Sequence, residues 1–181
     1  HALLALACMH VGIAYVPVSS AYSLVSADFG KLKQVLGLLT PGLVFAADGA
    51  RFSQAIAAAV PAGTEVLTGD RFAELEATPA TVAVDTAHAA VGPDTIAKFL
   101  LTSGSTGQPK AVINTQRMLC SNQQMLTHAL PSLRETPPVL VDWLPWNHTA
   151  GSNHNLGLVL NHGGTLYIDE GKPVPGLIEK T

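Results

Sequence analysis

Charged side chains are scarce in this sequence, 13% of the residues, and its 10 lysines and arginines never gather into a cluster. With a net charge of −3, that excludes the basic footprint of a nucleic-acid binder and the polybasic patch that holds an anionic membrane surface. Cysteine is almost missing. Cys8 and Cys120 stand far apart and form no C-x-x-C pair, a usage that fits a reducing compartment and sets a cytoplasmic expectation, with pairing between the two left open. No apolar run approaches the ~20 residues of a membrane span. The opening His1-Ala-Leu-Leu-Ala-Leu-Ala-Cys8 has the apolarity of a signal-peptide core but neither a basic leader nor an initiating methionine. Because the sequence begins in mid-pattern, the expectation is a piece cut from something larger. Repeats and low-complexity tracts are also missing.

What is abundant is apolar material, at 48% of the residues, enough to bury a core and to exclude a disordered chain. At 181 residues the length suits one domain, 1–181, or a large piece of one. Leu3, Leu4, Leu6 and Met9 among alanines predict a buried helix ending near Gly12, and Ala14 to Val18 a short strand with Pro17 at its exit. After a loop from Ser19, Ser26 is a candidate N-cap, and Phe29, Leu32, Val35, Leu36 and Leu39 recur at helical spacing. Strand, helix and strand follow at Leu43–Ala46, Arg51–Val60 and Glu65–Thr68. Phe72 to Asp94 reads as a short helix and a loosely structured crossover. Thr115 is placed to cap a helix from Gln116 to about Leu130, with Leu119, Met125, Leu126 and Ala129 inward; strands are expected at Val139–Trp143 and Gly164–Ile168, around a helix at Leu156–Leu160. Helices and strands alternating with short connections predict an α/β fold, a largely parallel sheet flanked by helices on both faces.

Chemistry concentrates in two stretches. The first is Phe99-Leu-Leu-Thr-Ser-Gly-Ser-Thr-Gly-Gln-Pro-Lys-Ala-Val-Ile-Asn114. It reads as an apolar strand, a loop, a lysine and a second apolar strand. From Thr102 to Gly107 the loop offers four hydroxyls and two glycines in six residues. Glycines let backbone N–H groups turn toward a ligand, hydroxyls add donors, and Lys110 adds a point charge suited to phosphate. Pro109 narrows the conformations open to that lysine. The Walker loop is excluded, since the lysine lies three residues past Gly107 and strand, not helix, follows.

The second stretch is Asp142-Trp-Leu-Pro-Trp-Asn-His-Thr-Ala-Gly-Ser-Asn-His-Asn155. Aromatic and polar groups after a strand of an α/β sheet fall where such folds bind ligands. Metal ligation by His148, His154 and His162 is disfavoured, because the three share no helical face and no cysteine or acidic ligand accompanies them. Ser152 lacks the strand–elbow–helix G-x-S-x-G context of a nucleophile. Trp143, His154 and His162 are expected to be core or hydrogen-bonded structural residues.

The first stretch resembles the nucleotide-phosphate loop of the adenylate-forming superfamily, the acyl-CoA synthetases, peptide-synthetase adenylation domains and luciferases. That loop runs Thr/Ser-Ser-Gly-Ser/Thr-Thr-Gly-x-Pro-Lys-Gly, and Thr102 to Lys110 match it position by position; Ala111 departs from the usual glycine. Leu144-Pro-Trp-Asn-His148 resembles the family's later Leu-Pro-x-x-His motif. Met9-His-Val-Gly12, Tyr15-Val-Pro-Val18, Ile113-Asn-Thr-Gln-Arg-Met-Leu119 and Trp143 to His148 look closest to feruloyl-CoA synthases and related acid:CoA ligases.

The resemblance implies ATP, Mg²⁺ and coenzyme A, with a small carboxylic acid, of aromatic feruloyl type, activated as acyl-AMP. Thr102, Ser103, Gly104, Ser105, Thr106, Gly107 and Lys110 would hold the phosphates. His148 would line the acid pocket with Trp146 and Asn147, and Lys110 and His148 would be the catalytic pair. The family's aromatic-Gly-x-Thr-Glu motif, its later Thr-Gly-Asp segment and its carboxy-terminal lid lysine find no counterpart; Thr68-Gly-Asp70 precedes the loop and reads as a turn. The expectation is therefore part of a larger N-terminal ATP- and acyl-binding domain, inactive alone, with no nucleic-acid or membrane partner and an oligomeric state the sequence leaves open. Two alternatives stand: an adenylating enzyme that loads a carrier protein, and a non-catalytic nucleotide-binding α/β domain.

Overall fold

A computed structural model describes residues 1–102 and 108–169. The chain opens with helix α1 (Ala2–His10) and, within the stretch expected to be loop, a one-turn helix α2 (Ala21–Leu24). Helix α3 (Gly30–Leu39) begins three residues later than a Ser26 cap would place it. Phe29 takes a left-handed φ of 55° and packs against the core, while Ser26 Oγ accepts from Phe29 N and Asp28 Oδ1 from Gly30 N, both at 3.0 Å. These side chains serve the helix start from outside it.

Strand β1 (Leu43–Ala46), helix α4 (Gly49–Ala59) and strand β2 (Glu65–Thr68) form a parallel β–α–β unit, with Leu43 opposite Glu65 and Ala46 opposite Thr68. Asp48 caps α4, its Oδ1 accepting from Arg51 N at 2.9 Å. The predicted helical stripe is buried here: Leu32 and Leu36 of α3 meet Ala55 of α4, with Val18, Tyr22, Phe29 and Val44 around them. Beyond β2 come a short helix α5 (Phe72–Glu76) and helix α6 (Val82–Ala89), the latter a correction to the loosely structured crossover expected there. The alanines of α6 favour helix, but it buries no residue, so no apolar periodicity marked it.

Strands β3 (Ile96–Thr102) and β4 (Lys110–Thr115) pair antiparallel, from Ile96 opposite Thr115 to Thr102 opposite Lys110. The connection between them is far shorter than the dozen or so residues a parallel crossover requires. The strand expected at residues 14–18 contracts to one parallel bridge, Tyr15 with Lys98, in which Phe99 N donates to Tyr15 O at 3.0 Å; Pro17 has no N–H to extend it. Helix α7 (Gln116–Ala129) is capped by Thr115 as expected, Met118 N donating to its Oγ1 at 3.3 Å. Its inward face differs from expectation. Leu119 and Leu126 are half-buried, Met125 and Ala129 are exposed, and the buried residue is Gln123.

Strand β5 (Val139–Asp142) leads through a π-helical turn, Ala150–Asn155, into helix α8 (Leu156–His162) and strand β6 (Thr165–Ile168), which pairs parallel with β5. The α/β architecture is as predicted. Among the described residues its strands pair two by two, as two parallel pairs and one antiparallel hairpin, rather than as one continuous sheet. No helix among them is long and apolar enough to cross a membrane, and both cysteines are free.

Candidate functional site

The two stretches singled out by their chemistry meet. Strand β3 ends at Thr102 and β4 begins at its register partner Lys110, both exposed. Ser103, Gly104, Ser105, Thr106 and Gly107 lie outside the described residues. From the other side, β5 ends at Asp142, whose carboxylate accepts from Leu144 N at 3.0 Å and turns the chain. His148 N donates to Pro145 O at 3.1 Å, and Ser152 N to His148 O at 3.0 Å, carrying that turn into the π-helical segment. A cavity of about 280 Å³ opens between these elements, lined by Ser19, Tyr22, Leu101, Thr102, Asn147 and His148. Its lining offers hydroxyl, amide and imidazole groups together with the Leu101 side chain and the Tyr22 ring.

Of the predicted site residues, the cavity brings together Thr102, Asn147 and His148. Lys110 stands across the hairpin from Thr102 and does not line it. Trp146 is half-buried with its ring 5.7 Å from that of His1, so it is not part of the cavity wall. Trp143, expected in the core, is 41% exposed at the end of β5. His162 has the structural role foreseen for it, with Nε2 2.8 Å from Thr127 Oγ1 and Nδ1 3.0 Å from Leu158 O. His154 is exposed and bonds its neighbour Asn155. Among the described residues no three His, Cys, Asp or Glu side chains group as metal ligands.

Between the β3–β4 hairpin and the π-helical turn is a buried polar layer that the sequence reading missed. Lys98, in the middle of β3, is 2% exposed, and its Nζ donates to Ser152 Oγ. The ammonium also stands 5.8 Å from the centre of the Tyr15 ring. Burial pushes the Lys98 amine down to about 8, because removal from water disfavours its charged form. Burial likewise raises the Tyr15 phenol, with a hydrogen bond to Ser152 opposing. Asn153 Nδ2 donates to Asn114 Oδ1 at 2.8 Å, Gln123 Nε2 to Asn153 O at 2.8 Å, and Asn155 Nδ2 to Asp142 Oδ1 at 2.9 Å. The signal was a lysine set inside the apolar run Ile-Ala-Lys-Phe-Leu-Leu, since lysine is almost never fully buried without a partner. Ser152 is buried, and its hydroxyl is turned to Lys98.

The sequence model of the AMP-binding enzyme family matches residues 1–180. Among curated proteins, the medium-chain-fatty-acid–acyl-carrier-protein ligase TtuA of Teredinibacter turnerae is 38% identical over 76 residues, which is 42% of this chain and 11% of that protein. Among solved structures, a malonyl-CoA ligase in a ternary product complex with methylmalonyl-CoA and AMP is 26% identical at a TM-score of 0.68, over 92% of this chain and 32% of that one. The McyG A-PCP structure, complexed with phenylalanyl-adenylate, superposes at a TM-score of 0.69 and 21% identity, over 91% of this chain and 25% of that one, a likeness of fold alone. The chain thus spans a third or less of the length of each of these relatives.

Proposed function

The chain belongs to the AMP-binding enzyme family, and we propose that it is the front part of an acid:CoA ligase that activates a carboxylic acid as its acyl-adenylate. The observation that carries this reading is the shared cavity: Thr102, at the head of the phosphate loop, faces the same space as Asn147 and His148 of the second motif. An acid bound there is within reach of a nucleotide held by the loop.

In this reading a carboxylate oxygen attacks the α-phosphorus of ATP, the bond to the bridging oxygen of the β-phosphate breaks, and pyrophosphate leaves. The thiol of coenzyme A then attacks the acyl carbon and AMP departs. Thr102, Ser103, Ser105, Thr106, the backbone of Gly104 and Gly107, and Lys110 grip the β- and γ-phosphates and stabilise charge on the departing pyrophosphate. Exposure of both Thr102 and Lys110 leaves them free to reach those phosphates. Mg²⁺ in phosphoryl-transfer sites leans on substrate phosphates more than on a protein cage, so it would enter with the nucleotide.

His148, exposed and part of the cavity lining, closes over the acid before adenylation and swings aside for the thiol. Asn147 shapes the acid's pocket, and Trp146, half-buried beside the His1 ring, belongs to the same turn. An aromatic, feruloyl-type acid is the preferred substrate: its ring suits a lining that includes Tyr22 and Leu101, and the sequence around Trp143–His148 resembles that branch. Ala111, which replaces the family's usual glycine, sits half-buried in β4 opposite Leu101, a position where alanine is an ordinary strand residue.

A second reading, transfer of the acyl group to a carrier protein, is favoured by the curated relative, itself named as an acyl-carrier-protein ligase. Pyrophosphate release by the full-length protein containing this chain separates the two. With ATP and Mg²⁺, ferulate, benzoate and a medium-chain fatty acid are offered in turn, with and without coenzyme A. Acid-dependent release that accelerates with coenzyme A and yields a thioester supports the ligase and identifies its acid class. Release without a thioester moves the reading to the carrier-linked enzyme. Silence with every acid leaves a nucleotide-binding domain without chemistry.

A further inference from the structure

The hairpin β3–β4 and the turn that follows His148 are joined by side chains at matched positions. Lys98 and Asn114 are direct register partners across the hairpin, and both are buried, at 2% and 8% exposure. They engage two consecutive residues of the π-helical turn: Lys98 Nζ donates to Ser152 Oγ, and Asn114 Oδ1 accepts from Asn153 Nδ2. Gln123 of α7 adds a donor to Asn153 O, and Asp142 of β5 holds Asn155. Gly151 seals the arrangement, because a Cβ there would stand 2.9 Å from both Leu144 O and Pro145 O. A side chain at position 151 would therefore push the turn away from those two carbonyls. Ser152 N in turn holds His148 O at 3.0 Å, so the chain of contacts runs from the strand that ends at Thr102 to the backbone of His148.

We infer that Lys98 and Ser152 are positioning residues for His148, a polar clamp that fixes the acid-facing wall of the cavity relative to the phosphate-loop hairpin. The inference rests on the roles proposed above for His148 and Thr102. Neither clamp residue lines the cavity, so neither touches the acid itself. A single apolar contact would hold the two elements together without fixing their register. Directional bonds to two successive residues fix both distance and rotation.

The test compares Lys98→Met, Ser152→Ala and the double variant in the full-length enzyme, by pyrophosphate release with the acid and ATP varied separately. Each single change is expected to raise the KM for the acid about tenfold while the KM for ATP stays within about twofold, and the double variant is expected to be no worse than the worse single. A merely structural role predicts a lower unfolding midpoint and fewer active molecules, with both KM values unmoved. Unchanged acid KM in the singles, parallel shifts for acid and ATP, or additive effects overturn the clamp while the ligase reading stands. If Lys98→Met fails to fold, Ser152→Ala, a smaller change, decides the matter by the same split. Wild-type enzyme that releases no pyrophosphate with any acid overturns the ligase reading, and the clamp with it.

Discussion

Around β1 and β2 the interior is hydrocarbon, with Leu32, Val35, Leu36, Ala55 and Leu67 buried; around β3 to β6, Ala97, Leu100, Leu158 and Val159 share the interior with Lys98, Asn114, Gln123, Asp142 and Ser152. Among the described residues these five are all of the buried polar and charged side chains. Hydrophobic burial is non-directional and scales with area, so the first region can be stable without fixing any one atom. Hydrogen bonds in a low-dielectric interior are directional and costly to leave unmade. The region that carries the candidate site is the one that uses them. Stability and placement have been separated along the chain.

The sharpest way to break that comparison is at Lys110, which is exposed and belongs to neither interior. Lys110→Ala is expected to slow pyrophosphate release by about 10²–10³-fold with no change in the unfolding midpoint. An unchanged rate removes Lys110 from the site. On the apolar side, Leu36→Ala is expected to cost about 3 kcal/mol in denaturant unfolding, through lost burial and the cavity left behind. The folded fraction should keep its substrate affinities, and a changed acid KM would mean that the two regions are not independent.

On the polar side, Ser152→Ala strands the Lys98 amine and is expected to cost about 1–3 kcal/mol by the same unfolding measurement, less in a background that carries Lys98→Met. A smaller effect follows from titration. The folded-state value of Lys98, about 8, lies below its ordinary 10.5, so between those two pH values the unfolded chain binds more protons. The burial penalty is fully present below the lower value and is relieved as pH rises through the window. Stability should therefore gain a rising contribution between them, and Lys98→Met should flatten the unfolding-versus-pH profile there; an identical profile in that variant rules the titration out. Smallest of all is Arg117→Ala, which breaks the exposed pair with Asp94 at 2.9 Å. Unfolding midpoints should agree within measurement error, because solvent screens such pairs. A clear loss there would show that surface charge matters as much as either interior.

Legibility in the sequence follows the same division. The stripe Leu32, Val35 and Leu36, the strands at 43–46 and 65–68 and the Thr115 cap were all readable, because hydrophobic period and capping chemistry are local. The meeting of Thr102 with Asn147 and His148 was readable only through motif resemblance, since no local rule brings residues so far apart in sequence to one cavity. Lys98, Gln123 and Asp142 were passed over. Each looks like a surface residue until its partner is known, and those partners lie 54, 30 and 13 residues away. Trp143 erred in the opposite direction, its size favouring the core while its place at the end of β5 leaves it exposed.

Lys98 has a further consequence for how the hairpin assembles. Phe99, Leu100 and Leu101 do not alternate with polar residues, so a slip of one position would exchange one apolar side chain for another and cost little by burial alone. What such a slip cannot preserve is the meeting of Lys98 with Ser152: it would turn the amine to the other face and leave a charge buried without its acceptor. One lysine thereby acts as a proofreading mark for strand alignment, rejecting the misaligned hairpins that the greasy run around it would accept.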